Sequence, residues 1–410
     1  MAVTAAARVV TVGAASLLTG SDPEGGAVVA ALSAAGVPVA SRVLVDDDET
    51  ALEHALAPGT LTVILASPGG SAGDVVRRVL ARVVGARLVL SERMLAALEE
   101  RHRRQDRPLP RRAERLALLP QGATLWLSEA AEPAWALESG RDAFVVLPRG
   151  GALGPILAEH LLPWVRARFA GRGAVLVRTL KTAGVSAAEV EERLADWLGR
   201  EGDVSVATVP ADGDVWVRLR ARGTTAAEAG DTLAAAEAPI AAALGEDCYG
   251  RDGETLEEVV GRLLAAQRLT LSIAESCTAG LLGHRLTNVP GASGWFERGL
   301  IVYSNRAKEE LLRVPASVLR VHGAVSDACV QAMARGIAEV SGSPCGLAIT
   351  GIAGPDGGTP AKPVGTVFVA LAFAGELVSR RFRFAGDRSE VKWQSTQMAL
   401  DMLRRRLQAG

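Results

Sequence analysis

Between residues 8 and 88, short apolar runs rich in β-branched residues alternate with stretches whose apolar positions recur at helical spacing. RVVTVG, VPVASRVLV and LTVILA are the runs, and residues 24–35, 49–57 and 72–84 are the helical stretches. Strands apolar on both faces, each followed by a helix, predict a parallel sheet covered on both sides. Beyond them ATLWLSEA reads as a hairpin, AFVVLP as a strand and ILAEHLLPWVRARFA as a helix. The pattern changes near Gly171: strand 173–179, helix 186–198, strands 203–209 and 213–221 joined by a turn in PADGD, then helix 224–244. From about Cys248 the βα rhythm returns. GETLEEVVGRLLAAQ is an amphipathic helix, LTLSIAES a strand, 278–287 a helix and GLIVYSN a strand. SDACVQAMARGIAEV follows as a helix capped by Ser326 or Asp327. CGLAITGIAGP, GTVFVALAF and LVSRRFRFAG read as strands, and SEVKWQSTQMALDMLRRRLQ closes the chain as a helix.

The 410 residues accommodate two or three domains. The pattern divides them into 1–170, 171–250 and 251–410. The fold class is α/β: a Rossmann-like sandwich, a small α+β module and a second α/β sandwich. The order of elements in the middle module resembles a KH domain, but no GxxG loop flanked by basic residues is present to clamp RNA, so a spacer is expected. Forty-five basic and 46 acidic side chains nearly cancel, leaving no global field to steer the protein toward nucleic acid or a membrane. The arginine-rich stretch Arg101–Arg115 lacks aromatic residues for base stacking and contains acids, which fits a solvated helix end better than a phosphate patch. Direct nucleic-acid binding is not expected. No run approaches the roughly 18 apolar residues of a membrane span, and the N-terminal stretch lacks a basic segment followed by a long apolar core. A soluble cytoplasmic protein is expected. Cys248, Cys277, Cys329 and Cys345 are scattered without CxxC spacing, and no histidine cluster suggests a metal site.

Candidate chemistry gathers in the last third. In AESCTAG, Ser276 stands where a strand gives way to a helix, a position that suits either a nucleophile facing helical N–H groups or a simple N-cap. No GxSxG elbow or obvious Ser-His-Asp triad accompanies it. IVYSNRAKEELL offers Tyr303 and Lys308 at a second strand-to-helix junction, and a desolvated lysine beside a serine can serve as general base. TGIAGPDGGTPAKPVGTV supplies a loop of Gly351, Gly354, Gly357 and Gly358 with Lys362, suited to an anion, and Arg388 precedes the last helix as a possible phosphate clamp. Cys277 is the better intrinsic nucleophile, yet a residue adjacent to Ser276 on the turn is expected to point into the core.

Together AESCTAG, VPGASGWFERGLIVYSNRAKEELL, HGAVSD, TGIAGPDGGTPAKPVGTV and FAGDR are similar to the C-terminal domain of the CinA family, the competence- and damage-inducible proteins, over residues 255–405. The resemblance implies an α/β sandwich with nicotinamide-nucleotide amidase activity, in which water replaces the amide nitrogen of nicotinamide mononucleotide. It implies Ser276 as nucleophile and Lys308, assisted by Tyr303, as proton carrier. Thr278, Gly280, Asn305, Thr350, the Gly351–Gly358 loop and Arg388 are implied to bind the nucleotide, with no cofactor. It further implies a homodimer and, as an alternative role, a non-catalytic adaptor in competence or DNA damage that contacts RecA.

VVTVGAASLLTG, VILASPGG, LLPQGATLWL and FVVLPRGG resemble the molybdopterin-binding-type domain that precedes the amidase in full-length family members. That domain is associated with metal-dependent hydrolysis of ADP-ribose-type pyrophosphates. Here Ala14 and Ala15 replace two acids of its pattern, Asp74 stands alone in ASPGGSAGDVV, and the LPGxPxEM segment has become LPRGGALGP. A divalent cation needs several carboxylate oxygens at close range. A degenerate scaffold is therefore expected, with Asp46, Asp47, Asp48 and Asp74 as the competing set of replacement ligands.

Overall fold

The computed structural model describes residues 6–56, 61–104, 106–140, 142–169, 174–200, 202–211 and 213–409. They form two compact units, Met1–Val177 with Arg220–Ala234, and Arg178–Leu219 with Ala235–Gly410.

The first unit is built on strands β1 (Ala7–Val12), β2 (Val39–Val45) and β3 (Leu61–Ala66), followed by β4 (Leu88–Leu90), β5 (Leu118–Pro120), β6 (Thr124–Trp126), β7 (Ala134–Ser139) and β8 (Asp142–Pro148). β4 and β5 pair with each other; the rest form one sheet in the order β2-β1-β3-β8-β7-β6. β1, β2, β3 and β8 run parallel, and β7 and β6 add antiparallel. Every residue of β3 is buried because apolar helices cover both faces. Val63 and Leu65 meet Val28, Leu32 and Ile156 on one side, while Ile64 lies in the opposite core with Val76, Leu80 and Leu98. The sequence pattern does not announce β7, the strand AWALES, the short strand β4, or the helices Ala14–Thr19 and Glu92–Arg104. The arginine-rich end of that helix is solvated and locally paired, with Arg103 and Arg104 on Glu100, as expected.

The middle sheet has the order β10-β11-β9-β12, from β9 (Ala174–Thr182), β10 (Val204–Ala211), β11 (Asp214–Gly223) and β12 (Cys248–Arg251). Its helices are Ala187–Arg193 and Ala226–Leu244. The first ends five residues before the expected 198, and Leu198 instead bridges to Val206. β12, read as the start of the third piece, pairs antiparallel with the far end of β9 and extends that strand to Thr182. The expected boundary near Gly171 lies outside the described residues, as does Asp212 of the PADGD turn.

Five strands make the remaining sheet: β13 (Leu271–Glu275), β14 (Phe296–Ile301), β15 (Cys345–Gly351), β16 (Thr366–Phe373) and β17 (Glu376–Arg383), ordered β14-β13-β15-β16-β17. β13 lies parallel between β14 and β15, and β16 and β17 are antiparallel. Its two faces differ in side-chain size. Leu271, Ile273, Leu347, Ile349, Val367 and Val369 face a core shared with the helices Leu256–Gln267 and Arg388–Gln408. Ala274, Ala348 and Ala370 face the other, where the helix Asp327–Ser341 packs with Val330, Met333 and Ile337. Ser326, rather than Asp327, caps that helix by accepting from Cys329 N–H. Small residues let backbone approach backbone: a Cβ on Gly346 would lie 2.4 Å from the Ala334 carbonyl oxygen, and one on Gly336 2.1 Å from that of Leu312. Among the described residues no helix is long and apolar enough to cross a membrane.

Gly336→Ala should therefore force apart the helices Asp327–Ser341 and Asn305–Leu312 and destabilise the protein by about 1–3 kcal/mol. A fall in the urea midpoint with an unchanged slope of free energy against urea is the expected reading.

Candidate functional site

The site forms where β13 ends. Val302 N–H donates to Glu275 O at 2.8 Å and Ser276 N–H to Ile349 O at 3.0 Å, so the strand end is gripped from both neighbours. Alternation along the strand then sends Glu275 and Ser276 to opposite faces. Ser276 is 8% exposed, at the carboxyl end of parallel strands where open α/β sheets place ligands. Lys308, on the helix Asn305–Leu312 capped by Ser304, is fully buried. Its Nζ donates to Ser276 Oγ at 3.1 Å, to Val302 O at 2.7 Å and to Tyr303 O at 3.2 Å. All three acceptors are neutral, and burial lowers the ammonium's pKa below its ordinary 10.5. An ammonium spends its three protons on these three acceptors; a neutral amine has a lone pair free to accept the Ser276 hydroxyl proton. Loss of one proton thus reverses the Ser276–Lys308 hydrogen bond and converts Lys308 into a base.

The other expected residues divide. Tyr303 contributes its main-chain carbonyl to Lys308, while its side chain is 61% exposed and its hydroxyl meets Arg388 Nη2 at 3.5 Å. The expected assistance of Lys308 by Tyr303 therefore has its contact through the carbonyl. Arg388 Nη1 also donates to Gly354 O at 2.7 Å, tying the glycine loop to the start of the last helix. Thr278 Oγ1 is buried without a hydrogen-bond partner among the described residues. Asn305 is exposed on the first turn of the Lys308 helix. The Thr350 hydroxyl donates to Ala324 O at 2.9 Å, so its proton is committed to the fold.

In the glycine loop, Gly351, Gly354 and Gly358 are required by packing: a Cβ on them would come within 2.6 Å of Val367, 2.6 Å of Val364 and 2.9 Å of Val364 N respectively. Gly357 has φ +87, and a Cβ there would make only an ordinary contact, 3.7 Å from Ile352. Lys362 is withdrawn from any anion, because its ammonium holds the carbonyls of His322 and Val325 at 3.1 and 2.6 Å.

Two expectations need correction at the serine itself. The helix starts at Leu281, not 278, and its first N–H groups do not face Ser276. Glu275, which the sequence reading left without a role, accepts from Gly280 N–H (3.0 Å), Leu282 N–H (3.1 Å) and Gly283 N–H (2.9 Å). Gly280 therefore has no free N–H to offer a substrate. In the turn after the serine, the N–H groups of Cys277, Thr278 and Ala279 have no main-chain acceptor among the described residues. A buried-looking acid directly after an apolar strand and five residues before a glycine was the available signal. Cys277 does turn into the core, and burial pushes its thiol up to about 12.

In the first unit the acids that would compete for a cation are engaged elsewhere. Asp74 is paired with Arg77 and Arg115, Asp47 accepts from Ser71, Asp46 from Asp47 N–H, and Asp48 caps the helix Glu49–Ala55. Two guanidinium groups on the one carboxylate left in ASPGGSAGD occupy the charge a divalent ion would need. These residues do not fit a metal centre.

Residues 253–407 match the family described as the CinA C-terminal domain, and residues 177–250 the KH domain of damage-inducible protein CinA. A competence-damage inducible protein of Moorella thermoacetica is 38% identical over 384 residues, covering 92% of each chain. A CinA-like protein of Syntrophotalea carbinolica is 39% identical over 393 residues, covering 94% of each. The crystal structure of a CinA superfamily protein from Klebsiella pneumoniae is 39% identical, covers 38% of this chain and 97% of its own, and has a TM-score of 0.37.

Burial also raises Cys329 to about 11 and Cys345 to about 12. At pH 8 a thiol near 12 is ionised to a fraction on the order of 10⁻⁴. Mass spectrometry after brief iodoacetamide treatment of the native protein should find Cys248 modified first and Cys277, Cys329 and Cys345 protected; rapid labelling of Cys277 would refute its assignment to the core.

Proposed function

Since the chain belongs to the CinA family of competence-damage inducible proteins, we propose that it is an amidohydrolase converting nicotinamide mononucleotide and water to nicotinate mononucleotide and ammonia. The supporting observation is Lys308 Nζ held 3.1 Å from Ser276 Oγ by neutral partners alone. In this reading neutral Lys308 takes the hydroxyl proton as Ser276 Oγ bonds to the amide carbon. The carbonyl oxygen gains the electron pair and is met by the N–H groups of Thr278 and Ala279. Lys308 returns the proton to the amide nitrogen, the C–N bond breaks and ammonia leaves a Ser276 ester. Water then attacks the ester carbon, Lys308 accepts the water's proton and restores it to Oγ, and nicotinate mononucleotide departs. Arg388, exposed at the mouth beside the Tyr303 hydroxyl, supplies the cation for the substrate phosphate.

The sequence of steps uses protein groups alone, so ammonia release from nicotinamide mononucleotide should persist in a chelator. Ser276→Ala should lower turnover by on the order of 10⁴ with the fold intact, whereas a serine that merely caps would cost about 1 kcal/mol of stability and little rate. No release from either protein, both folded, would overturn the enzymatic reading in favour of a non-catalytic adaptor.

The pH dependence has a definite sign. Lys308 must be neutral to act, and its pKa lies below 10.5. kcat/KM should rise with pH through that lowered value and level off above it. Lys308→Arg, which stays charged, should abolish the rise together with activity; a rate that falls over the same range would contradict Lys308 as base.

A further inference from the structure

We infer that Glu275 is a positioning residue of the Ser276 site, holding the turn Cys277–Ala279 that follows the serine. The inference rests on the amidase reading above. The helix Leu281–Thr287 opens without a cap of its own: Gly280 has no side chain, and no acidic residue stands in the first turn. Such an end leaves several N–H donors and a partial positive charge unsatisfied. Glu275 supplies the acceptors from upstream. It is 2% exposed, and one carboxylate takes the N–H groups of Gly280 and Leu282 on Oε2 and that of Gly283 on Oε1.

The turn depends on Gly280, whose φ of +95 lies in the left-handed region that favours glycine. With both ends of the intervening turn tied to one residue, Cys277–Ala279 is held in a fixed bend, with Ala279 at φ +48. That bend carries the main-chain N–H groups of Thr278 and Ala279, which the amidase reading assigns to the oxyanion.

Glutamine at 275 keeps the shape but places an NH₂ group where main-chain donors must be accepted. Glu275→Gln should lower kcat by about 100-fold, within the range seen when one oxyanion-hole donor is lost, while KM changes less than about threefold because Arg388 is untouched. Hydrogen exchange followed by mass spectrometry should show faster exchange in the peptide holding Gly280, Leu282 and Gly283, with the peptides of β15 and β16 unchanged. Unchanged kcat in a folded Glu275→Gln protein, or unchanged exchange in that peptide, would overturn the inference. A variant whose exchange rises throughout is only a folding lesion, and then Glu275→Asp decides: it retains the charge but is one methylene short, so about a tenfold loss in kcat with normal KM supports the positioning role and full activity refutes it. If the wild-type protein releases no ammonia, the amidase reading fails by itself, while the exchange comparison still tests Glu275.

Discussion

A lysine nitrogen buried against main-chain carbonyls is the interaction on which the site depends. Among the described residues Lys308 has no carboxylate partner, only Ser276 Oγ and the carbonyls of Val302 and Tyr303. A buried carboxylate there would hold the ammonium charged and remove its use as a base. Placing the amine in that environment costs stability, and the fold meets the cost by securing the two elements that carry it. The helix Asn305–Leu312 is capped by Ser304 and pressed by Gly336 of the next long helix. The end of β13 is hydrogen-bonded to both neighbouring chain segments.

The division of labour between adjacent residues follows from strand geometry. Glu275 and Cys277 go to the face beneath the helices Leu256–Gln267 and Arg388–Gln408, and Ser276 goes to the face where Lys308 waits. One face thus holds the apolar core and the other the Ser276–Lys308 pair, separated by a single backbone. On the structural side lies a second set of buried charges. Arg285 donates to Glu257, Thr396 and Gln397 and stacks on Trp393, and Gln397 and Tyr249 both donate to Asp214. Burial raises Asp214 to about 7. Asp214 Oδ1 and Arg285 Nε are left without partners among the described residues, and the network ties the helix after the serine turn to β11 of the middle sheet.

The first unit shows the reverse relation between fold and chemistry. Its sheet and both hydrophobic layers are complete, yet arginines hold the one acid left in the loop after β3. Packing and polar chemistry are carried by different residues, so the layers are complete whatever the loop residues bind.

The sequence by itself determined the layers and pointed to the junctions that carry Ser276 and Lys308. Strands with apolar residues on both faces announce a covered parallel sheet, and AESCTAG with IVYSNRAKEELL named Ser276 and Lys308 because a nucleophile and a base require those residue types. It did not reveal that β12 completes the middle sheet, that AWALES is a strand, that Glu275 takes the helix terminus, that Lys362 and Thr350 are occupied within the fold, or that Tyr303 reaches Lys308 through its carbonyl. Each of these is a hydrogen bond or strand pairing whose partner is fixed by register or by the turn between elements. Ser276 and Lys308 are 32 residues apart, and Lys362 and Val325 are 37. Local periodicity records which face a residue occupies; only the tertiary structure decides which atom it meets there, because that depends on how separate elements are stacked.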